Sequence, residues 1–97
     1  SNNILLPYCD NIHFCLVSIN LNLSEIVEYD SIKNYHFFRS MTKKLQIAVS
    51  NIRNKKFKIR MADVPQQPDG TSCGVHTMIA ARCIIKNETY EDFGLSR

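Results

Sequence analysis

The sequence predicts an α+β domain in which a mixed, twisted sheet is flanked by a long amphipathic helix and a buried one. Three observations carry this prediction. Residues 13–29 hold two apolar runs separated by a polar turn, as a hairpin does; residues 34–53 place apolar side chains at helical spacing; residues 75–85 are apolar on nearly every side. At 97 residues the chain has room for one hydrophobic core, so residues 1–97 are read as a single domain. The chain opens at Ser1 without a methionine and enters the apolar run Ile4-Leu5-Leu6 within three residues, so we expect an N-terminal part to be missing.

Taken in order, residues 3–6 read as a short strand that Pro7 ends by removing a donor, and residues 8–12 read as a polar turn. From His13 to Leu21 the odd positions are His13, Cys15, Val17, Ile19 and Leu21, and the even ones Phe14, Leu16, Ser18 and Asn20. The first half is apolar on both faces, which predicts a central strand emerging toward an edge. Asn22-Leu23-Ser24 then turns the chain, and Ile26 to Tyr29 returns as a second strand ending at Asp30.

Register decides whether His13 and Asp30 meet. An even loop such as Asn22-Leu23 opposes Leu21 to Ser24 and therefore Cys15 to Asp30, which sets His13 diagonal to Asp30 on one face. Such a diagonal is about 7–8 Å between backbones, within reach of a carboxylate to imidazole hydrogen bond. An odd loop would put the two on opposite faces.

Between residues 34 and 53, Phe37, Phe38, Met41, Leu45, Ala48, Val49 and Ile52 form one apolar stripe, predicting a long helix that covers the sheet with its Met and Phe residues in the core. Phe57 to Val64 begins by alternating apolar residues with Lys58 and Arg60, as a half-buried strand does. Pro65 and Pro68 stiffen the loop carrying Gln67. Past Cys73, the run Val75, Met78, Ile79, Ala80, Ala81, Cys83, Ile84 and Ile85 predicts a buried central helix, and Tyr90-Glu91-Asp92-Phe93 predicts the start of another.

Composition narrows the function. Hydrophobic residues make up 44% and charged residues 22%, as in a soluble globular protein, and no apolar run is long enough for a transmembrane or signal segment. Cys9, Cys15, Cys73 and Cys83 follow no dense disulfide framework and include no CxxC. We therefore expect free thiols in a reducing compartment, nucleus or cytoplasm, and an unused sequon at Asn87-Glu88-Thr89. The net charge of +3 is concentrated in Lys43, Lys44, Arg53, Lys55, Lys56, Lys58 and Arg60. A solvated helix face is the better reading of these residues, because the aromatic interleaving of a nucleic-acid surface is lacking.

The stretch Gln67-Pro68-Asp69-Gly70-Thr71-Ser72-Cys73-Gly74-Val75-His76 runs from a polar turn into a helix and so sets Cys73 at a helix N-terminus. Unpaired N–H groups there favour an anion, so a thiol in such a position tends to ionise into its nucleophilic form. Gln67 offers an amide donor six positions upstream, and Gly70 and Gly74 let the backbone pass close to a reacting group. With His13 on a central strand and Asp30 at the end of its partner, the roles fit acyl transfer. Cys73 attacks a carbonyl, His13 takes and returns the proton, Asp30 orients the imidazole, and Gln67 donates to the oxyanion. The plain alternatives are a small buried cysteine beside an N-cap Ser72, a satisfied core histidine, and an Asx turn opened by Asp30 before Ser31. His36 and His76 are less suited as the base, one near the start of the long helix and the other pointing along the Cys73 helix away from its end. A zinc site of Cys9, His13, Cys15 and Cys73 has no standard ligand spacing.

In these intervals the chain resembles the ubiquitin-like-protein-specific (Ulp/SENP, SUMO-protease-like) cysteine peptidases. That family shows His and an aromatic, then Asp seventeen positions later in a Tyr/Val-Asp-Ser context, then Gln with Cys-Gly six positions on. This chain has Ile12-His13-Phe14, Tyr29-Asp30-Ser31, Pro65-Gln66-Gln67-Pro68 and Cys73-Gly74. The resemblance, over residues 4 to about 86, implies a cysteine-proteinase-like core with His13, Asp30 and Cys73 as triad and Gln67 as oxyanion residue. It implies a thiol protease that cuts after the diglycine of a SUMO-like or other ubiquitin-like protein. We expect it to need no metal or organic cofactor, to act as a monomer and, having no apolar run long enough to span a bilayer, to have no membrane partner. Phe14 stands where the family usually has Trp, Ser72 where it has Asp, and the chain is expected to lack the N-terminal segment that supplies much of the family's modifier-binding cleft. Polyprotein processing, acyl transfer by the same fold, or partner binding by a catalytically poor fragment are the alternatives.

Overall fold

The computed structural model describes residues 3–9, 13–32, 39–68 and 73–95. Strands β1 (Asn3–Cys9), β2 (Phe14–Asn20), β3 (Glu25–Tyr29) and β4 (Lys58–Met61) form one sheet, in the order β1-β2-β3-β4. The first two pairings are antiparallel and the third, β3 with β4, is parallel. The sheet is therefore mixed, as expected. Helix α1 (Arg39–Arg53) joins β3 to β4, α2 (Cys73–Lys86) follows β4, and a short 3₁₀ turn (Tyr90–Phe93) comes last. Among the described residues no helix is long and apolar enough to cross a membrane.

The β2–β3 register pairs Leu16 with Tyr29 and Asn20 with Glu25, which is the even-loop register. Side chains at odd positions of β2 build the main core: Cys15, Val17 and Ile19 pack with Ile26 and Phe57, and Leu45 and Val49 of α1 cover them. Leu16 and Ser18 point to the opposite face and are equally buried, and α2 packs on β2 from that side. A central strand buried on both faces explains the run of apolar residues that begins β2.

Four expectations are corrected. β1 does not end at Pro7 but runs on to Cys9, with Pro7 opposite Leu16; as the edge strand it tolerates a missing N–H. The described part of the long helix starts at Arg39, and Phe37 and Phe38 lie outside the described residues. Within α1 the inward line is Thr42, Leu45 and Val49, whereas Met41 is 48% and Ile52 80% exposed and Ala48 is exposed. One residue turns a helix by about 100°, so the positions just before 42 and 49 fall off a narrow seam, and Met41 is not core. β4 covers Lys58–Met61 rather than residues 57–64. In α2 the buried residues are Cys73, Thr77 and Ala80, while Val75, Met78 and Ile85 are exposed. One layer of sheet lies against this helix, so one face is buried and the outer face is not.

Polar side chains fix α1 to the start of β4. Gln46 Nε2 donates to the Phe57 carbonyl at 2.7 Å, and the Phe57 N–H donates to Ser50 Oγ at 3.1 Å. Asn54 and Asn87, just past the two helices, take positive φ of 50° and 55°, the left-handed conformation that ends helices and that Asn tolerates. The seven basic residues Lys43, Lys44, Arg53, Lys55, Lys56, Lys58 and Arg60 are all exposed, as a solvated surface requires.

Candidate active site

His13 stands just before β2 and Asp30 just after β3, and both are buried, at 2% and 5% exposure. His13 Nε2 and Asp30 Oδ1 are 2.8 Å apart. The same Oδ1 accepts the Ile32 N–H at 3.0 Å, so the carboxylate that faces the imidazole also opens an Asx turn. The two readings of Asp30 hold together, since the turn fixes the oxygen that the imidazole meets.

Cys73 is the first residue of α2 and is buried. The backbone N–H of Phe14, the residue after His13, donates to Cys73 Sγ at 3.4 Å. The helix start and the strand start therefore meet with the thiol one peptide unit from the histidine. Thr77 Oγ1 donates to the Cys73 carbonyl at 2.9 Å and anchors the first helical turn. Gly74 lies against the Phe14 ring, where a Cβ would come to 3.9 Å of Cδ2. That is ordinary contact, so the glycine is not demanded by space at this point.

Gln67 follows the buried Pro65 and is held by β3's exit. Its N–H donates to the Ser31 carbonyl at 3.0 Å, and Ser31 Oγ donates to Gln67 Oε1. Beside it, Gln66 Nε2 donates to the Asp30 carbonyl at 3.2 Å and to the Val64 carbonyl at 3.1 Å. Ser31 and Gln66 are thus part of the site's frame, yet sequence reasoning gave neither a role. The signal was adjacency, since each stands next to a residue that had been singled out.

The structure brings His13, Asp30 and Cys73 to one end of the sheet, and the same exit from β3 holds Gln67. Of the other candidates, His36, Asp69, Gly70 and Ser72 lie outside the described residues. His76, one turn along α2, has a buried Nδ1 with no hydrogen-bond partner among the described residues. Cys15, on the His13 face, is a different kind of thiol from a nucleophile. Burial first, then the Asp30 and Glu28 carboxylates, push it far above the ordinary cysteine range, so it stays protonated. Among the described residues no three His, Cys, Asp or Glu side chains come together in a way that could hold a metal ion.

A buried imidazole–carboxylate pair beside a thiol at a helix start, on an α+β sheet, defines the class of cysteine-dependent acyl-transfer folds. The chain belongs to the Ulp1 protease family: residues 2–96 match its C-terminal catalytic domain. Among solved structures it is similar to the C-terminal Ulp1 protease domain in complex with Smt3, the yeast ortholog of SUMO, at 25% identity and a TM-score of 0.75, over 91% of this chain and 43% of that one. The Ulp1-like SUMO protease catalytic domain of Chaetomium thermophilum matches at 26% identity and 0.68, over 86% and 35%. ChlaDub1 from Chlamydia trachomatis, at 20% and 0.52 over 79% and 35%, shares the fold. The chain thus spans less than half the length of these structures. The comparison with curated proteins found no match.

Proposed function

We propose that this chain is a cysteine-type peptidase that releases SUMO-like modifiers from precursors or conjugates by a Cys-His-Asp mechanism. The observation that carries the reading is the buried His13–Asp30 contact of 2.8 Å set beside a thiol that accepts the N–H of the next residue. Membership of the Ulp1 family and the likeness to the Smt3-bound protease domain support the substrate class.

In this mechanism Asp30 holds Nε2, so Nδ1 is the ring nitrogen that takes the Cys73 proton. The thiolate attacks the carbonyl carbon of the modifier's terminal glycine, and the oxyanion that forms accepts hydrogen bonds, Gln67 Nε2 being one donor. Collapse breaks the C–N bond, the imidazolium protonates the leaving amine, and a thioester remains. Water, deprotonated by His13, then attacks the thioester and releases the modifier with a free carboxylate and the thiol restored. The proposed nucleophile must stay reduced to react, so we place this activity in a reducing compartment, nucleus or cytoplasm.

The test is mass spectrometry after exposure to a panel of ubiquitin-like modifiers bearing a C-terminal electrophile. One adduct on Cys73, absent from Cys73→Ser and His13→Ala, is the expected result. If small thiol reagents label Cys73 no faster than Cys9, Cys15 or Cys83, and no modifier reacts, the proposal fails.

A further inference from the structure

We infer that Ser31 is a positioning residue for the oxyanion donor, so that Asp30 and Ser31, consecutive in sequence, orient the two arms of the site. This rests on the proposed acyl-transfer reaction and assigns it a further residue. Asp30 meets His13 through its carboxylate. Ser31, 4% exposed, meets Gln67 twice: its carbonyl accepts the Gln67 N–H at 3.0 Å and its hydroxyl donates to Gln67 Oε1.

The chemistry of the amide makes the second contact decisive. A glutamine side chain ends in an acceptor-only oxygen and a donor-only nitrogen, and the torsion that carries them is broad and nearly two-fold. Left alone, the amide would present its oxygen to the reacting carbonyl about as readily as its nitrogen, and an oxygen there repels the developing oxyanion. A hydroxyl donating to Oε1 removes that choice and turns Nε2 to the other side. The backbone bond fixes where the side chain starts, and Gln66 ties the preceding residue to Asp30 and Val64, so the rotation about the last torsion is the freedom that Ser31 removes. Preorganisation of this kind acts in the transition state and not on substrate binding.

The measurement uses three reactions of Cys73 in wild type, Ser31→Ala, Gln67→Ala and the double variant. Acylation by p-nitrophenyl acetate, which expels p-nitrophenolate, passes through an oxyanion without any modifier. Alkylation by iodoacetamide displaces iodide at a saturated carbon and forms no oxyanion. Turnover of a SUMO-like modifier amide-linked to a fluorophore reports the proposed substrate. Ser31→Ala is expected to slow acylation and kcat about ten-fold, less than the ~10²–10³ that loss of an oxyanion donor costs. KM and alkylation should be unchanged, and the loss should vanish in the Gln67→Ala background. If Ser31→Ala does not fold, Ser31→Cys, which keeps the volume and weakens the donor, takes its place.

The inference is overturned if acylation stays within about two-fold of wild type, if the loss repeats in full on Gln67→Ala, or if alkylation slows equally. Ester acylation that follows the expected pattern while no modifier is cleaved would leave Ser31's role standing and remove the proposed substrate. Modifier cleavage indifferent to Ser31 would do the reverse.

Discussion

Raising the pH should destabilise this protein through a residue that takes no part in the proposed chemistry. Cys15 lies opposite Asp30 in the β2–β3 register, is 2% exposed, and has its thiol pushed up by burial, by Asp30 and by Glu28. In the unfolded chain the same thiol ionises near pH 8.5. Because the folded state keeps the proton and the unfolded state loses it, the stabilisation is complete below about pH 8.5 and is lost as the pH rises. The loss grows at about 1.4 kcal/mol per unit and reaches about 2 kcal/mol at pH 10. Tyr8, Cys83 and Tyr90 are pushed up too, Tyr90 to about 12, and steepen the fall further.

Cys15→Ala isolates the thiol. The substitution costs a fixed amount through lost packing, but only wild type carries the Cys15 proton, so the gap between the two proteins should narrow by about 2 kcal/mol between pH 7 and pH 10. Urea unfolding under reducing conditions reads it as a wild-type midpoint that drops by about 1 M more than that of the variant. Curves that stay parallel across this range would refute the reasoning.

Two further outcomes follow from burial and bonding. Phe57, 1% exposed at the base of the core, should cost about 3–5 kcal/mol as Phe57→Ala, whereas Met78→Ser, at a position 73% exposed, should change stability by less than about 0.5 kcal/mol; thermal or urea unfolding measures both. Asp30→Ala removes an acceptor shared by the His13 ring and the Ile32 N–H. It should destabilise by about 2–4 kcal/mol and abolish turnover of a modifier–fluorophore substrate, while Asp30→Asn, with its volume kept, should recover most of the stability.

What sequence reading reached was set by how local the cause was. The β2–β3 hairpin followed from an even loop and an alternating pattern, both confined to residues 13–29, and the structure has that register. The parallel join of β3 to β4 was legible only as a mixed sheet, because nothing in residues 57–64 names its partner. Hydrophobicity gave the existence of α1 and α2 but not their covered faces. Met41 and Ile52 in α1, and Val75, Met78 and Ile85 in α2, are exposed because a helix buries only what a neighbour reaches. Ser31 and Gln66 went unassigned because a serine or glutamine acquires a role from the side chain it meets. That meeting, between residues 30–31 and 66–67, spans 36 positions.

The diagonal placement of His13 and Asp30 explains why this interval carries more information than either residue. With Leu16 opposite Tyr29, the residue directly opposite His13 is Ile32. Directly opposed Cβ atoms lie about 4.5–5.5 Å apart, too close for an imidazole and a carboxylate to extend toward each other end to end. Two residues back along β3, the separation grows to about 7–8 Å, and the rings and carboxylate close it to a 2.8 Å contact. Ile32 then contributes its backbone N–H to the same Oδ1, so the directly opposed position steadies the diagonal one. An odd interval is thus what a hairpin with an even loop requires of a His–Asp pair on one face, and the lengths of β2 and β3 set it at seventeen. One residue more or fewer in the turn at 21–24 would carry Asp30 to the face of Leu16 and leave His13 buried in the core without it.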